Sequence, residues 1–245
     1  MQGLFKSLRK KNRIYCGKRF SILGDSISTL DNYNPDGYNV FYAEENCERS
    51  GVFRMQDTWW GNIIRYFDGE LLVNNSWSGS RVTKLPDKEE SFPSGCSDER
   101  TSFLHMNEVK PDVIIVYLGT NDWAFGAKTN RDLLFSEDRD EGVFDFAYDK
   151  MIKKLKKNYP FGEIWCCTLN ETYISKCPDF VFPHVYEGRH IEEYNQIIRE
   201  ISEKNLCRLI DLYSYKTPYE SIDGIHPTKR GMETIANMVI QAVMD

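Results

Sequence analysis

Residues 112–118 constrain the fold more than any other part of the chain. They read DVIIVYL, so apolar side chains would point to both faces of a strand, and Gly119 ends the run. A strand that is apolar on both faces belongs in the centre of a sheet that helices cover on both sides. The sequence therefore predicts an α/β architecture built around this strand.

Short apolar runs alternate with helical patterns along the rest of the chain. Four further strands are predicted over residues 19–24, 71–75, 163–169 and 206–212. Four amphipathic helices are predicted over 57–67 (with Asp57 as N-cap), 142–158, 188–204 and 229–244. Segment 76–110 is polar and predicts loop with room for one short helix. This order indicates a single domain over residues 1–245 with a five-stranded parallel sheet, in which 1–18 form an N-terminal extension.

Composition excludes several classes of protein. The chain has 31 Lys and Arg against 37 Asp and Glu, so it lacks the excess positive charge that nucleic-acid binding needs. With 41% hydrophobic and 13% aromatic residues it is not a disordered chain. No apolar run approaches the ~20 residues of a membrane span, and no apolar signal region follows the basic start. Seven cysteines without a CxxC pair favour reduced thiols and a cytoplasmic location. One disulfide among the loop cysteines stays open as an alternative. The sequence does not indicate the oligomeric state.

Polar clusters follow four of the predicted elements, where the chain leaves the sheet. They are Gly24-Asp25-Ser26, the loop around Gly79, Gly119-Thr120-Asn121-Asp122, and Asp223-Gly224-Ile225-His226. The carboxyl ends of parallel strands meet at one edge of a sheet, and ligands bind there. The sequence therefore predicts one site at this edge.

The residue types in these clusters indicate nucleophilic catalysis. Ser26 needs an adjacent base to act as a nucleophile, and His226, with Asp223 three residues before it, can supply one. Asn121 and the backbone N–H groups of Gly79 and Ser26 are candidate oxyanion donors. Structural alternatives stay open: Ser26 as a helix cap, Asn121 in an Asx-turn, and Asp223 with His226 as a cap of the last helix.

The remaining candidates have weaker patterns. Trp123 and Asp25 are candidate substrate-binding residues, although Asp25 and Asp122 are rather expected to hold their loops through backbone N–H groups. Trp59, Trp60 and Trp77 are expected in the core, and His105, His184 and His190 lack a motif and are expected to be surface or core residues.

Taken together, the four clusters resemble the four blocks of the SGNH hydrolases, also called the GDSL lipase/esterase family. They occur in the family's order, and the resemblance runs from about residue 19 to 240. The first block reads Gly-Asp-Ser-Ile rather than Gly-Asp-Ser-Leu, a change of one apolar packing residue. The resemblance implies a flavodoxin-like three-layer α/β/α sandwich and ester hydrolysis through an acyl-enzyme on Ser26, without a metal or cofactor. The family covers lipases, thioesterases, arylesterases and carbohydrate deacetylases, so the substrate is not implied.

Two other functions are considered. A metal-dependent phosphoesterase also uses a Gly-Asp turn and a Gly-Asn turn, but the chain has only four histidines and no paired downstream histidines to hold metals. A non-catalytic binding domain of the same fold would be expected to lose Ser26 or His226.

Segments 31–54 and 80–105 are expected to rim the pocket, and their mixture of aromatic and polar residues suits a short acyl group, such as acetyl, on a small or carbohydrate-like ester.

Overall fold

Five parallel strands form the main sheet. The computed structural model describes residues 14–85, 92–130 and 140–245. The strands of this sheet are β1 (Arg19–Gly24), β2 (Glu70–Ser76), β3 (Val113–Tyr117), β4 (Glu163–Cys167) and β8 (Arg208–Ile210). Their spatial order is β2-β1-β3-β4-β8. This is the flavodoxin-like order, in which the direction of winding reverses between β1 and β3 and a crevice opens at the carboxyl ends of the strands.

Helices cover the sheet on both faces because successive side chains of a strand point to opposite sides. Val113, Ile115 and Tyr117 of β3 share one apolar cluster with helices α2 (Trp59–Tyr66) and α7 (Lys229–Met244). Ile114 and Val116 share the other cluster with α5 (Phe144–Asn158) and α6 (Ile191–Lys204). All five residues of β3 are buried, as its sequence predicts. The predicted three-layer α/β/α architecture with a five-stranded parallel sheet is confirmed.

Shorter elements occupy the connections between the main strands and helices. The helices are α1 (Glu44–Ser50), α3 (Asp98–Ser102) and α4 (Thr120–Ala124). Two ladders of two strands each lie outside the main sheet: β5 (Thr172–Tyr173) pairs with β9 (Tyr219–Glu220), and β6 (Val185–Tyr186) with β7 (Arg189–His190). None of the helices in the described ranges combines the length and apolar character needed to cross a membrane. All seven cysteines are free thiols.

Several predicted element boundaries were wrong for identifiable reasons. The strand predicted over 206–212 spans only three residues, because Leu206 adopts a positive φ of 53° and a 3-10 turn begins at Leu212. Asp57 is not the N-cap of α2: it ends a 3-10 turn and pairs with Lys229, while Thr58 caps the helix by accepting the N–H of Gly61.

The helices predicted to start at residues 142 and 188 begin later than expected. The first begins at Phe144. The β6–β7 hairpin, which turns at Gly188 with a φ of 75°, takes up the start of the second, so α6 begins at Ile191. Residues 1–13 of the predicted extension and 86–91 of the predicted rim segment 80–105 lie outside the described residues.

A buried arginine connects the ends of the two strands that lead into the predicted site. The guanidinium of Arg100 donates to the carbonyl oxygens of Gly24 (2.9 Å), Asn75 (3.0 Å) and Pro93 (3.3 Å), and the side chain is fully buried. Burial lowers the pKa of Arg100 to about 10, so the group is still protonated at neutral pH. The Gly24 carbonyl also accepts the N–H of Trp77, so Arg100 adds a second donor there and cross-links the ends of the two strands.

We expect Arg100→Met to lower the free energy of unfolding by about 3 kcal/mol, roughly 1 kcal/mol for each of the hydrogen bonds to Gly24, Asn75 and Pro93 that is lost. Arg49→Met is the matched control, because Arg49 is exposed and donates only to a neighbouring side chain of its own helix. It should change the stability by less than about 0.5 kcal/mol. Urea unfolding measures both, and equal stabilities for the two variants would contradict a structural role for Arg100.

Candidate active site

The serine of the first cluster lies in a sharp turn at the end of β1. Residues Ser26–Ser28 form one turn of 3-10 helix, and Asp25 caps it, since its Oδ1 accepts the N–H of Ile27 at 3.0 Å. The turn requires a glycine at position 24, because a Cβ there would lie only 2.4 Å from the Ser28 hydroxyl oxygen. The backbone therefore holds Ser26 directly at the carboxyl end of a central strand.

A hydrogen-bonded chain joins Ser26 to the last polar cluster. His226 Nε2 lies 2.9 Å from Ser26 Oγ, and His226 Nδ1 lies 2.7 Å from Asp223 Oδ2. The second carboxylate oxygen, Oδ1, accepts the N–H groups of Ile225 and His226. The three side chains that the sequence singled out as nucleophile, base and acid partner are thus in contact with each other.

The charge of Asp223 determines which imidazole nitrogen carries the hydrogen. Partial burial acts to raise the pKa of Asp223, but the hydrogen bonds from the His226 side chain and from two backbone N–H groups outweigh it and hold the pKa below its usual value. An ionised carboxylate can only accept, so Nδ1 of His226 must donate to it. Nε2 of the neutral ring is then left to accept the hydroxyl hydrogen of Ser26.

The second and third clusters are joined by a hydrogen bond from Asn121. Asn121 lies in the short helix α4, and its Nδ2 donates one hydrogen to the carbonyl oxygen of Ser80 at 2.9 Å, which fixes the amide. The amide nitrogen carries a second hydrogen. Gly79 has a φ of 83°, and open space lies where its Cβ would be. The amide of Asn121 is therefore tied to the loop that contains Gly79.

The carboxylate of Asp122 holds that loop through three hydrogen bonds. It accepts the N–H of Val82 at 2.8 Å and both the N–H (3.0 Å) and the hydroxyl (2.7 Å) of Thr83, and it is fully buried. The expectation that Asp122 fixes a loop through backbone N–H groups is confirmed. The alternative that Asp223 and His226 cap the last helix is wrong, because Thr228 caps α7.

Both candidate substrate-binding side chains are buried. Trp123 is 1% exposed, stacks on Phe182, contacts Tyr186 edge-to-face, and donates its indole N–H to the carbonyl of Arg189. It therefore packs beneath the edge instead of lining a pocket, which corrects the sequence-based expectation. Asp25 is also 1% exposed and faces the turn that it caps, so it presents no surface to a ligand.

The other aromatic and histidine side chains fall in varied places. Trp59 and Trp60 are in the core as expected, whereas Trp77 is only half-buried and lies against Tyr38, with ring centroids 4.1 Å apart. His190 is the N-cap of α6. Within the described ranges, no group of three or more His, Cys, Asp or Glu side chains could hold a metal ion.

The structure reveals one contact of the histidine that sequence reasoning missed. Phe41 stacks on the imidazole of His226, with ring centroids 3.5 Å apart and an interplanar angle of 7°. The next residue, Tyr42, donates its hydroxyl to the carbonyl of Pro227 at 2.8 Å. The aromatic character of segment 31–54 indicated a rim of the site, but no spacing in the sequence relates residues 185 positions apart.

Asp25 differs from Asp223 in its protonation. Burial raises the pKa of Asp25 to about 7, and the N–H of Ile27 only partly opposes this effect. Its Oδ2 is buried and has no hydrogen-bond partner among the described residues. A carboxyl group whose pKa is higher in the folded than in the unfolded chain stabilises the fold while both states are protonated, and that contribution is lost as the pH rises through the folded-state pKa.

We therefore expect Asp25 to make the protein less stable as the pH rises from about 4 to about 7, with a slope of at most about 1.4 kcal/mol per pH unit. Asp25→Asn keeps the capping oxygen but cannot ionise, so its stability should lack this component. The free energy of unfolding of both proteins is measured with urea across that pH range. The difference between the two values is then plotted against pH, so that the contributions of other titrating groups cancel. A constant difference in stability would show that Asp25 keeps its usual pKa.

Comparison with known proteins agrees with this arrangement. The chain matches the family model described as GDSL-like Lipase/Acylhydrolase over residues 18–243. No curated protein matches it. Among solved structures it is similar to a protein from Bacteroides uniformis assigned as a GDSL-like lipase, with 27% identity, 93% of this chain and 95% of that chain covered, and a TM-score of 0.69.

Two further structures are similar over most of their length. One, from Bacteroides ovatus and also assigned as a GDSL-like lipase, has 25% identity, covers 92% of this chain and 97% of that chain, and has a TM-score of 0.69. A carbohydrate acetylesterase from Sinorhizobium meliloti shares the fold at 14% identity, with 92% and 96% coverage and a TM-score of 0.60. Since the family match extends over nearly the whole chain, the protein belongs to the GDSL-like lipase/acylhydrolase family of ester-hydrolysing enzymes.

Proposed function

We propose that the protein is a serine esterase that hydrolyses a carboxylic ester through an acyl-enzyme on Ser26. The observation that carries the proposal is the unbroken chain of hydrogen bonds from Asp223 through His226 to Ser26, with lengths of 2.7 and 2.9 Å. The ionised carboxylate orients the imidazole, and the imidazole can remove the hydroxyl proton as the oxygen attacks.

The proposed reaction proceeds in two halves. Ser26 Oγ forms a bond to the ester carbonyl carbon, its proton moves to His226 Nε2, and the carbonyl electron pair becomes an oxyanion. When the carbonyl reforms, the ester C–O bond breaks and the alcohol leaves with the proton from Nε2. Water then attacks the acyl group on Ser26 with His226 again as the base, which releases the carboxylic acid and restores both residues.

Asn121 and the N–H groups of Gly79 and Ser26 are proposed to bind the oxyanion. The Asn121 amide is already held by Ser80, so its second N–H is directed before the substrate arrives. Fixed donors of this kind stabilise the developing charge without reorganising during the reaction. Gly79 supports the proposal because its backbone borders open space.

A short acyl group on a small or carbohydrate-like alcohol is the proposed substrate. Ser26 is only 5% exposed, and the rim around it includes rings that already contact each other or the site, namely Phe41 on His226 and Tyr38 on Trp77. A long acyl chain would need a wide apolar groove instead. The same fold occurs in a carbohydrate acetylesterase, so it is compatible with acetyl esters of sugars.

The other functions considered have less support from the site. A metal-dependent phosphoesterase needs several clustered ligands, and the described residues hold no such group. A binding domain would have no use for the aligned nucleophile, base and carboxylate. We also propose the cytoplasm as the place of action, since seven free thiols suit a reducing compartment.

Ser26→Ala should lower kcat for p-nitrophenyl acetate by a factor on the order of 10⁴ or more, because the nucleophile is lost. Ser28→Ala is the matched control: it removes a neighbouring buried hydroxyl that has no hydrogen-bond partner among the described residues. A fluorophosphonate probe should add its mass to the native protein and to the control but not to Ser26→Ala. More than a few per cent of the native activity in Ser26→Ala would disprove the assignment of the nucleophile.

The proposed acyl specificity predicts a decline in activity with chain length. Acetyl esters should exceed octanoyl esters in kcat/KM by about tenfold or more, which corresponds to about 1.4 kcal/mol of transition-state preference. A series of p-nitrophenyl esters from acetyl to palmitoyl measures this, with Ser26→Ala as the background for each ester. If kcat/KM were constant or rose with chain length, the site would have to contain an open groove for lipid.

A further inference from the structure

We propose that Phe41 is a positioning residue that favours the protonated form of His226 during ester hydrolysis. The inference rests on the proposed function, because it requires His226 to accept a proton from Ser26 in the reaction. It concerns a side chain that lies outside all four sequence clusters and contacts the ring of the base.

The stacking geometry suits a cation better than a neutral ring. The two rings are nearly parallel, at 7°, and their centroids are 3.5 Å apart, so one ring lies almost directly over the other. Neutral aromatic rings avoid this face-to-face arrangement, because their negative faces repel, and prefer offset or edge-to-face contacts. A cation over the same face is attracted by it. The contact therefore gains strength when the imidazole becomes an imidazolium.

Backbone contacts tie Phe41 to the nucleophile. The N–H of Phe41 donates to Thr29 Oγ1 at 2.9 Å, and the Thr29 hydroxyl donates to the carbonyl of Ser26 at 2.9 Å. The carbonyl of Phe41 accepts from the Asn46 side chain at 3.1 Å. Thr29 thus joins the backbone that carries the stacked ring to the turn that carries the nucleophile.

The residue after Phe41 holds the loop of the base. Tyr42 is fully buried and donates its hydroxyl to the carbonyl of Pro227, which directly follows His226. Its own carbonyl accepts the N–H of Asp31 at 3.0 Å. These contacts hold the backbones that carry the two rings, and the imidazole ring is itself held by its hydrogen bonds to Asp223 and Ser26.

This fixed contact acts differently on the two states of the reaction. Before Ser26 attacks, the imidazole must be free to accept the hydroxyl proton, and in that form the face-to-face contact contributes little. When Ser26 attacks, the imidazole carries the transferred proton and the ring of Phe41 faces a positive charge. An interaction that is stronger in the transition state than in the ground state raises kcat and leaves KM nearly unchanged.

The test replaces Phe41 by rings of similar shape and decreasing negative charge on their faces. In the series from phenylalanine through 4-fluoro- and 3,5-difluoro- to pentafluorophenylalanine at position 41, we expect kcat for p-nitrophenyl acetate to fall stepwise, to about one tenth for the last member. KM should stay within about twofold. Phe41→Leu should also lose about tenfold in kcat. Phe161→Leu, whose exposed ring lies outside both segments expected to rim the pocket, should retain the native rate.

Urea midpoints of all variants identify any loss that comes from unfolding, and the fluorinated series keeps the bulk of the ring. A kcat that stays constant along this series, or a Phe41→Leu rate equal to that of Phe161→Leu, would overturn the inference. Ser26→Ala and His226→Ala are measured in the same assay. If these two variants are inactive while the fluorinated series is flat, only the role of Phe41 fails. If they remain active, the proposed function itself fails.

Discussion

The guanidinium of Arg100 holds together the two strand ends on which the site depends. Where β1 and β2 leave the sheet, the Gly24 carbonyl still accepts the N–H of Trp77, and Arg100 adds a charged donor to this junction. Arg100 donates to the carbonyls of Gly24 and Asn75, one on each strand. The turn with Ser26 follows the first, and the loop with Gly79 follows the second. One buried side chain therefore contributes to the relative position of Ser26 and the loop with Gly79.

Two aspartates near Ser26, Asp223 and Asp25, have different roles because their surroundings differ. Asp223 accepts three hydrogen bonds, which keep it ionised despite partial burial and suited to a cationic partner. Asp25 accepts one from the turn that it caps, and burial raises its pKa to about 7. Asp223 orients the imidazole that takes the proton in the proposed mechanism, whereas Asp25 shapes the backbone of the turn.

The sequence predicts the architecture well because its main determinants are local. The apolar residues of 112–118 identify the central strand, and the polar residues at strand ends identify the site, since parallel strands bring their ends to one edge. The wrong boundaries arise from backbone turns, such as the positive φ of Leu206, that apolar periodicity does not report. The burial of Trp123 and the stacking of Phe41 on His226 depend on distant residues, so no local pattern could indicate them.

The separation of Ser26 and His226 along the chain has a consequence for synthesis. The two residues in hydrogen-bond contact are 200 positions apart, and the strands β4 and β8 lie between them in the sequence. A growing chain on the ribosome therefore contains Ser26, the proposed nucleophile, early but lacks His226, the proposed base, until both of these strands have been made. The nascent protein therefore cannot hydrolyse esters by the proposed mechanism. The proposed catalytic residues come together only when the loop with His226 has been made and contacts the turn with Ser26.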